Sequence, residues 1–133
     1  MKANGAYTAL VSGGFTAFSI PIGTNLGFDE QHANILVEEN GVFTGKVAEP
    51  ILGKNEKVNQ LNRLVKERGL THSDVLAVGD GANDLGMLAI AGTGVAMHAK
   101  PIVAEKCDIV INHCDLSSLL YLQGYKKEDF VST

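Results

Sequence analysis

The chain has 133 residues, of which 45% are hydrophobic and 20% charged, a composition typical of one globular domain. The formal net charge is -4 and no basic run occurs, which argues against nucleic acid or an anionic membrane as a partner. Two cysteines, Cys107 and Cys114, are too few for a disulfide framework and favour a reduced, cytoplasmic setting. We therefore expect residues 1–133 to form a single cytoplasmic domain.

The N-terminal segment predicts a strand, a turn and a helix. Ala6–Val11 is a short apolar run, and Ser12–Gly14 after it has the composition of a turn. Phe15–Leu26 has a helical pattern that Pro21 interrupts. The helix either begins near Ser19, with Pro21 in its first turn, or continues with a kink at the proline.

A hairpin and an amphipathic helix follow. Asn34–Val37 and Val42–Val47 flank an Asn-Gly pair, which is a strong hairpin signal. The helix is predicted over Asn55–Arg68 and ends at Gly69. Its apolar positions fall on one stripe: Val58, Leu61, Leu64 and Val65.

Strands and helices alternate in the second half of the chain. The predicted strands are 75–78, 94–97 and 108–111. Between and after them the sequence predicts a helix ending near Ala91, a short helix opened by Pro101, and a closing helix around Leu119. This alternation implies right-handed crossovers and a mainly parallel sheet, an α/β fold.

The strongest chemical signal is the run VGDGANDLGML, residues 78–88. It places Asp80, Asn83 and Asp84 just beyond a buried strand, where open α/β sheets bind their ligands. Two closely spaced carboxylates beside an Asn suit Mg²⁺. Capping by Asn83 would account for that residue alone, and neither capping nor turn formation requires all three.

Weaker candidates lie elsewhere. Ser12–Gly14 offers a hydroxyl and exposed N–H groups before a helix, as a phosphate cradle does, although the same tripeptide is a common turn. Lys57 lies in the first turn of its helix, off the apolar stripe, and could neutralise phosphate. A surface lysine is the commoner role, and Lys54 is a competing candidate. For His98 we favour a hydrogen-bonded loop histidine over a catalytic base.

In combination, VSGGFT at 11–16, Lys57, GDGAND at 79–84 and HAKP at 98–101 resemble the phosphoserine phosphatases of the haloacid dehalogenase superfamily. The likeness covers essentially the whole chain in order and spacing. GDGxND also occurs in P-type ATPases, but the SGGFT and AKP segments narrow the match. The resemblance implies a three-layer α/β/α, Rossmann-like core with a mainly parallel sheet and a small β-hairpin. It also implies Mg²⁺-dependent hydrolysis of O-phospho-L-serine, in serine biosynthesis, through an aspartyl-phosphate.

The resemblance assigns four residues to the phosphate. Ser12 and Gly13 would hold the transferring phosphoryl group, and Lys57 would neutralise the charge of the phosphate and of the nucleophile. Asn83 would contact phosphate or substrate. These roles suit phosphoryl transfer, in which positioning and charge neutralisation supply most of the catalysis.

Two further residues are assigned to the cation. The resemblance implies that Asp80 binds Mg²⁺ directly. Asp84 would support either the metal or Lys57 from beside it.

One part of the family pattern is absent. The family attacks phosphate with the first Asp of an Asp-x-Asp-x-Thr motif and uses the second as general acid/base, and this motif occurs nowhere in the chain. The segment of the helical cap is absent as well. The chain is therefore expected to correspond to the C-terminal part of the enzyme, beginning at an internal methionine.

This absence has a structural consequence. In the family the nucleophile strand lies between the Ser12 strand and the Asp80 strand, so its loss leaves two apolar strand edges unpaired. The two strands could pair directly, a complementing N-terminal fragment could fill the gap, or two copies could exchange elements. We favour self-association or a supplied strand over an intact monomer.

Two functions of different class remain open at this stage. The chain is either the phosphate- and metal-binding half of a phosphatase, inactive alone, or a truncated non-catalytic relative. The latter would bind phosphate or Mg²⁺, or act by association.

Overall fold

The computed structural model describes residues 1–49 and 54–130. Its strands are β1 (Ala9–Phe15), β2 (Glu30–Asn34), β3 (Leu36–Glu39), β4 (Val42–Val47), β5 (Leu76–Gly79), β6 (Thr93–Met97) and β7 (Ile109–Ile111). Its helices are α1 (Thr16–Leu26), α2 (Lys54–Glu67), α3 (Leu85–Ile90), α4 (Pro101–Ala104) and α5 (Ser118–Leu122). None of the helices in this part of the chain has the length and apolar character to cross a membrane.

The strands are mainly parallel, as the sequence predicts, and the architecture is that of a Rossmann-like α/β core. β1 pairs with β2, and β5, β6 and β7 form a second parallel sheet. These two parallel sheets are separate from each other. Within the described residues β1 does not pair with β5, so the two strands do not close the gap directly.

The predicted hairpin is present as β3 and β4. Its turn residues Asn40 (φ 52°) and Gly41 (φ 78°) both adopt left-handed backbone, as the tight hairpin turn requires. The strand before it is β2, a polar segment that the sequence patterns did not predict.

The buried apolar core lies in the second parallel sheet and its helices. Ala77 on β5, Ala96 on β6, Leu88 on α3 and Val103 on α4 form one cluster. Val95, Ala96 and Val103 are fully buried. This half of the molecule therefore has a buried apolar cluster of its own.

Helix α1 buries its small residues and exposes its large apolar ones. It runs without interruption through Pro21, so the alternative start near Ser19 is wrong. Its buried residues are the small Ser19 and Gly23, and a Cβ at Gly23 would collide with the Gln31 side chain of β2. Its large apolar side chains are exposed: Phe18, Ile20, Ile22 and Leu26.

A polar cluster holds β2 against α2. The Glu30 carboxylate accepts hydrogen bonds from Tyr7 Oη (2.8 Å) and from Arg63 Nη2, and lies 3.0 Å from His32 Nε2. Burial would raise the pKa of the Glu30 carboxyl, but these hydrogen bonds and the Arg63 charge outweigh it and hold the pKa below its ordinary value. The β1–β2 sheet is thus attached to α2 by the ion pair between Glu30 and Arg63.

Candidate functional site

The site begins with a buried ion pair. Lys57 Nζ, in the first turn of α2, donates to Asp84 Oδ1 in the 3₁₀ turn that follows β5. Lys57 is 9% exposed and Asp84 4% exposed. The surface-lysine alternative for Lys57 is therefore wrong, while the side chain of its competitor Lys54 lies outside the described residues. A buried ammonium needs such a partner, because an isolated buried charge is costly.

The second oxygen of Asp84 organises the loop after β5. Asp84 Oδ2 accepts the backbone N–H of Asp80 (3.0 Å) and of Gly81 (3.1 Å). Burial would raise the pKa of the Asp84 carboxyl, but the hydrogen bond from Lys57 and the two N–H groups outweigh it and lower the pKa. Asp84, and not Asn83, thus makes the capping contacts in this turn.

Gly79, at the end of β5, makes this arrangement possible. A Cβ at this position would lie 2.5 Å from Asp84 Cβ and 2.6 Å from Asp84 Oδ2. Those distances are shorter than any real carbon contact, so the Asp84 side chain occupies the space that a side chain at position 79 would need.

Asp80 differs from Asp84 in its surroundings. Its backbone is bonded on both sides, because its N–H donates to Asp84 Oδ2 and its C=O accepts the Lys100 N–H at 3.2 Å. Its side chain is exposed and, within residues 1–49 and 54–130, has no hydrogen-bond or ion-pair partner. The loop therefore presents an available carboxylate on a backbone that is hydrogen-bonded at both its N–H and its C=O.

Ser12–Gly14 forms an irregular end of β1, not the turn that the sequence predicted. Between the register pairs Val11–His32 and Phe15–Asn34, β1 advances four residues while β2 advances two. Asn34 Nδ2 holds the bulge by donating to Gly13 O at 3.0 Å. Within the bulge, the Gly14 N–H donates to Ser12 Oγ at 3.0 Å. The hydroxyl proton of Ser12 remains able to donate to a ligand.

The bulge lies beside the Asp80 loop. A Cβ on Gly13 would lie 3.7 Å from Asn83 Nδ2, an ordinary van der Waals distance. Asn83 belongs to the same 3₁₀ turn as Asp84, which pairs with Lys57. The structure therefore brings the Ser12 bulge, Lys57 and the Asp80 loop to one place.

An open cavity of about 950 Å³ adjoins this loop. Its polar lining comes from Asp80, His98, Asp115 and Ser117. Apolar side chains and one glycine complete it: Leu26, Val78, Gly79, Met97 and Leu116. His98 Nε2 lies 2.7 Å from Cys114 O, which makes it the hydrogen-bonded loop histidine that we favoured. Hydrogen bonds from Ser117 lower the pKa of the Asp115 carboxyl.

The oxygen ligands available here suit a hard cation that takes only one or two of its ligands from the protein. In the described part of the chain, no group of three His, Cys, Asp or Glu residues could hold a metal by itself. Mg²⁺ keeps several waters and is usually held by one or two carboxylates together with substrate phosphate. The exposed carboxylate of Asp80, beside a lysine and a glycine-rich bulge, fits that requirement.

Sequence reasoning missed two contributors to this site. Asn34 was predicted as a hairpin residue, and nothing in the sequence indicates that its amide holds Gly13. The Lys100 N–H, which fixes the Asp80 carbonyl, is a backbone group and leaves no residue-type signal.

Comparison with known proteins places this geometry in a family. A family model described as haloacid dehalogenase-like hydrolase matches residues 1–89. The phosphoserine phosphatase of Streptomyces coelicolor is 40% identical over 129 residues, 97% of this chain and 32% of the relative. That of Methanocaldococcus jannaschii is 42% identical over 120 residues, 90% of this chain and 57% of the relative.

A solved structure agrees. A probable phosphoserine phosphatase from Vibrio cholerae, in unliganded form, superposes with a TM-score of 0.88 and 36% identity, covering 92% of this chain and 38% of that one. The chain thus spans from about a third to somewhat over half of the length of the proteins it matches.

Proposed function

Because the chain belongs to the haloacid dehalogenase-like hydrolases, we propose that residues 1–133 form one core unit with the phosphate- and cation-binding half of a phosphoserine phosphatase site. The substrate would be O-phospho-L-serine and the products L-serine and phosphate, in cytoplasmic serine biosynthesis. The carrying observation is the buried Lys57–Asp84 pair, whose second oxygen fixes the Asp80 backbone beside the Ser12 bulge.

The anion would bind between the bulge and α2. Ser12 would donate its hydroxyl proton and Gly13 its N–H to phosphate oxygens, while Lys57 would offset their negative charge. Asn83 would add an amide donor from the 3₁₀ turn that follows β5. Lys57 already contacts Asp84, so its charge is held in position before a substrate arrives, which is the preorganisation that phosphoryl transfer requires.

The cation would be Mg²⁺, held by the Asp80 carboxylate, with Asp84 acting through the Asp80 backbone and Lys57. Bound Mg²⁺ would neutralise phosphate charge and orient the group. The chain's own contribution is to keep the Asp80 carboxylate fixed and accessible.

The nucleophile would come from outside this sequence. An aspartate carboxylate would attack phosphorus, the bond from phosphorus to the serine oxygen would break, and serine would leave as its alcohol after taking a proton. Water would then hydrolyse the acyl phosphate to phosphate and regenerate the carboxylate. Since the chain has no Asp-x-Asp-x-Thr motif, we propose that it is inactive alone.

The open strand edges support a partner that supplies the missing strand. Within the described residues, β1 is paired only with β2, and β5 only with β6. Gly13 at the end of β1 nevertheless lies close to Asn83 beyond β5. A complementing N-terminal fragment would insert an extended apolar segment between β1 and β5. It would thereby bring its aspartate to the shared site.

The test is phosphate release from O-phospho-L-serine with Mg²⁺, by the chain alone and mixed with a fragment that carries Asp-x-Asp-x-Thr. Only the mixture should turn over. Lys57→Met in the chain should lower its rate by about a hundredfold or more, the scale for a preorganised charge-stabilising group. Lys66→Met, an exposed lysine of the same helix, is the matched control and should leave the rate unchanged.

Two results would contradict the proposal. Robust turnover by the pure chain would disprove its inactivity. A mixture that forms a stable complex by size-exclusion chromatography but releases no phosphate would disprove the assigned function.

A non-catalytic role by association is the second candidate, and the exposed apolar side chains of α1 favour it. Under that alternative the chain would form stable dimers at micromolar concentration and the added fragment would not dissociate them. Light scattering with and without the fragment distinguishes the two cases.

A further inference from the structure

His98 has a backbone conformation that its side chain disfavours. Its φ is 46°, in the left-handed region, where a residue with a Cβ is uncommon. The other non-glycine residue with positive φ in the described part of the chain is Asn40, which the hairpin turn explains. His98 lies in no such turn: it follows the last residue of β6 directly. The conformation must therefore be maintained by local contacts.

Two hydrogen bonds maintain it, one to the last residue of β7 and one to the loop after β7. The His98 N–H donates to Ile111 O, at the end of β7, at 2.7 Å. The ring Nε2 lies 2.7 Å from Cys114 O, and because a carbonyl only accepts, this nitrogen must carry the proton. His98 thus joins the loop after β6 to the end of β7 through its backbone and to the loop after β7 through its ring.

The loop that His98 holds leads directly to the Asp80 loop. Two residues later, the Lys100 N–H donates to Asp80 O at 3.2 Å, and the Lys100 carbonyl starts α4 by accepting from Val103. His98 and Asp80 also line the same cavity. The carbonyl side of Asp80 therefore depends on the loop that His98 pins, while its N–H side depends on Asp84.

We propose that His98 is a positioning residue, which holds the Asp80 carboxylate in its cation-binding orientation by pinning the loops after β6 and β7 to each other. This inference depends on the proposed function, because it takes Asp80 as a cation ligand. His98 itself acts through Lys100 and need not touch cation or phosphate.

The test measures cation binding directly, without turnover. The ¹⁵N-labelled chain is titrated with Mn²⁺ and, separately, with Mg²⁺ in the presence of inorganic phosphate. Line broadening by Mn²⁺ and chemical-shift changes caused by Mg²⁺ at the Asp80 and Gly81 amides give the affinity. His98→Ala should weaken binding about three- to tenfold, at or below the lower end of the effect of groups that support metal ligands. His98→Gln keeps an amide donor of similar reach and the same backbone demand, and should restore much of the affinity.

His113→Ala is the matched control. His113 is exposed, lies in the loop after β7 and does not line the cavity, so its replacement should leave cation affinity unchanged. Thermal unfolding of each variant separates positioning from general stability. Positioning predicts that His98→Ala loses affinity while the midpoint stays close to that of His113→Ala.

Each remaining outcome overturns the inference in a distinguishable way. Equal affinity of His98→Ala and wild type would overturn it and leave the proposed cation site intact. An affinity loss that merely follows a fall in the unfolding midpoint, and that Gln does not restore, would also overturn it. No binding by the wild-type chain would overturn the cation site and this inference together.

Discussion

The β1–α1–β2 region and the β5–β7 region are built in opposite ways. In the first, α1 buries Ser19 and exposes Phe18 to 67% and Leu26 to 65%. In the second, Val95 and Val103 are fully buried. Both regions have the parallel strand and helix pattern of an α/β core, so the secondary structure alone does not distinguish them. What distinguishes them is whether the apolar surface has something to pack against.

The two regions also differ in the source of their stability. The β5–β7 region has a buried apolar core of its own, whereas the β1–α1–β2 region is attached to α2 through polar contacts such as that of Glu30 with Arg63. Burial of apolar surface is the dominant stabilising contribution in folding. The first region therefore depends on the rest of the molecule, or on a partner, for most of its stability.

Breaking the buried pair that ties α2 to the Asp80 loop should have the largest effect. Lys57→Met leaves the Asp84 carboxylate buried without its cation, at a cost of about 3–5 kcal/mol in the free energy of unfolding. Urea denaturation followed by circular dichroism measures it, with Lys66→Met as control. The double variant Lys57→Met/Asp84→Asn should recover part of the loss. A single variant as stable as the control would mean that the pair contributes nothing.

Truncation in the two regions should give unequal losses. Leu88→Ala in the closed core should cost about 2–5 kcal/mol, because it removes buried contacts and leaves a cavity. Ile22→Ala on α1 should change the free energy of unfolding by less than about 0.5 kcal/mol, since that side chain is already half exposed. Equal losses in urea denaturation would show that α1 is covered in the isolated chain.

Acid should loosen the polar attachment of β2. The pKa of Glu30 is lowered in the folded state, so its contribution is present above its unfolded pKa and is lost as pH falls through the folded value. Stability should therefore decline below about pH 5. At pH 7, Glu30→Gln should cost about 1–2 kcal/mol and flatten the acid decline, whereas the exposed Glu38→Gln should do neither. A decline unchanged in Glu30→Gln would assign it to the other carboxyls whose pKa is lowered, which are Asp29, Asp84 and Asp115.

Replacing an exposed apolar residue of α1 should have the smallest effect on stability but should reduce self-association. Phe18→Ser should leave the unfolding midpoint nearly unchanged, because the ring is mostly exposed, but should reduce self-association in analytical ultracentrifugation. Leu122→Ser, at an exposed leucine of α5, is the control on the other region. Similar association in both variants would remove α1 as the contact surface.

Patterns of apolar residues predicted most of the elements, because they follow from local periodicity. The α2 stripe, the Asn-Gly hairpin and the β5 and β6 strands all carry such patterns. Strand β2 was missed because its sequence, EQHAN, is polar, and it is fixed by pairing with β1 and by the Glu30–Arg63 contact. These are long-range interactions that local sequence does not contain.

The site was predicted better by residue type than by geometry. The carboxylates, the lysine and the serine-glycine segment were identified, and the resemblance allowed for Asp84 beside Lys57. The burial of that pair and the bonds from Asp84 to the backbone of its own loop were not predicted. The continuation of α1 through Pro21 was likewise decided by packing. Roles for Ser12, Asn83 and Asp80 stay predictions until binding is measured.

Gly79 has an implication for recognising active members of this family from sequence. Its hydrogen atom faces the Asp84 carboxylate at a distance that no other residue type tolerates, and Asp84 in turn neutralises Lys57. Selection for folding alone would therefore retain the glycine, the second aspartate and the lysine in descendants that had lost turnover. Within this motif, Asp80, the exposed carboxylate that no structural contact requires, is the better marker of retained chemistry.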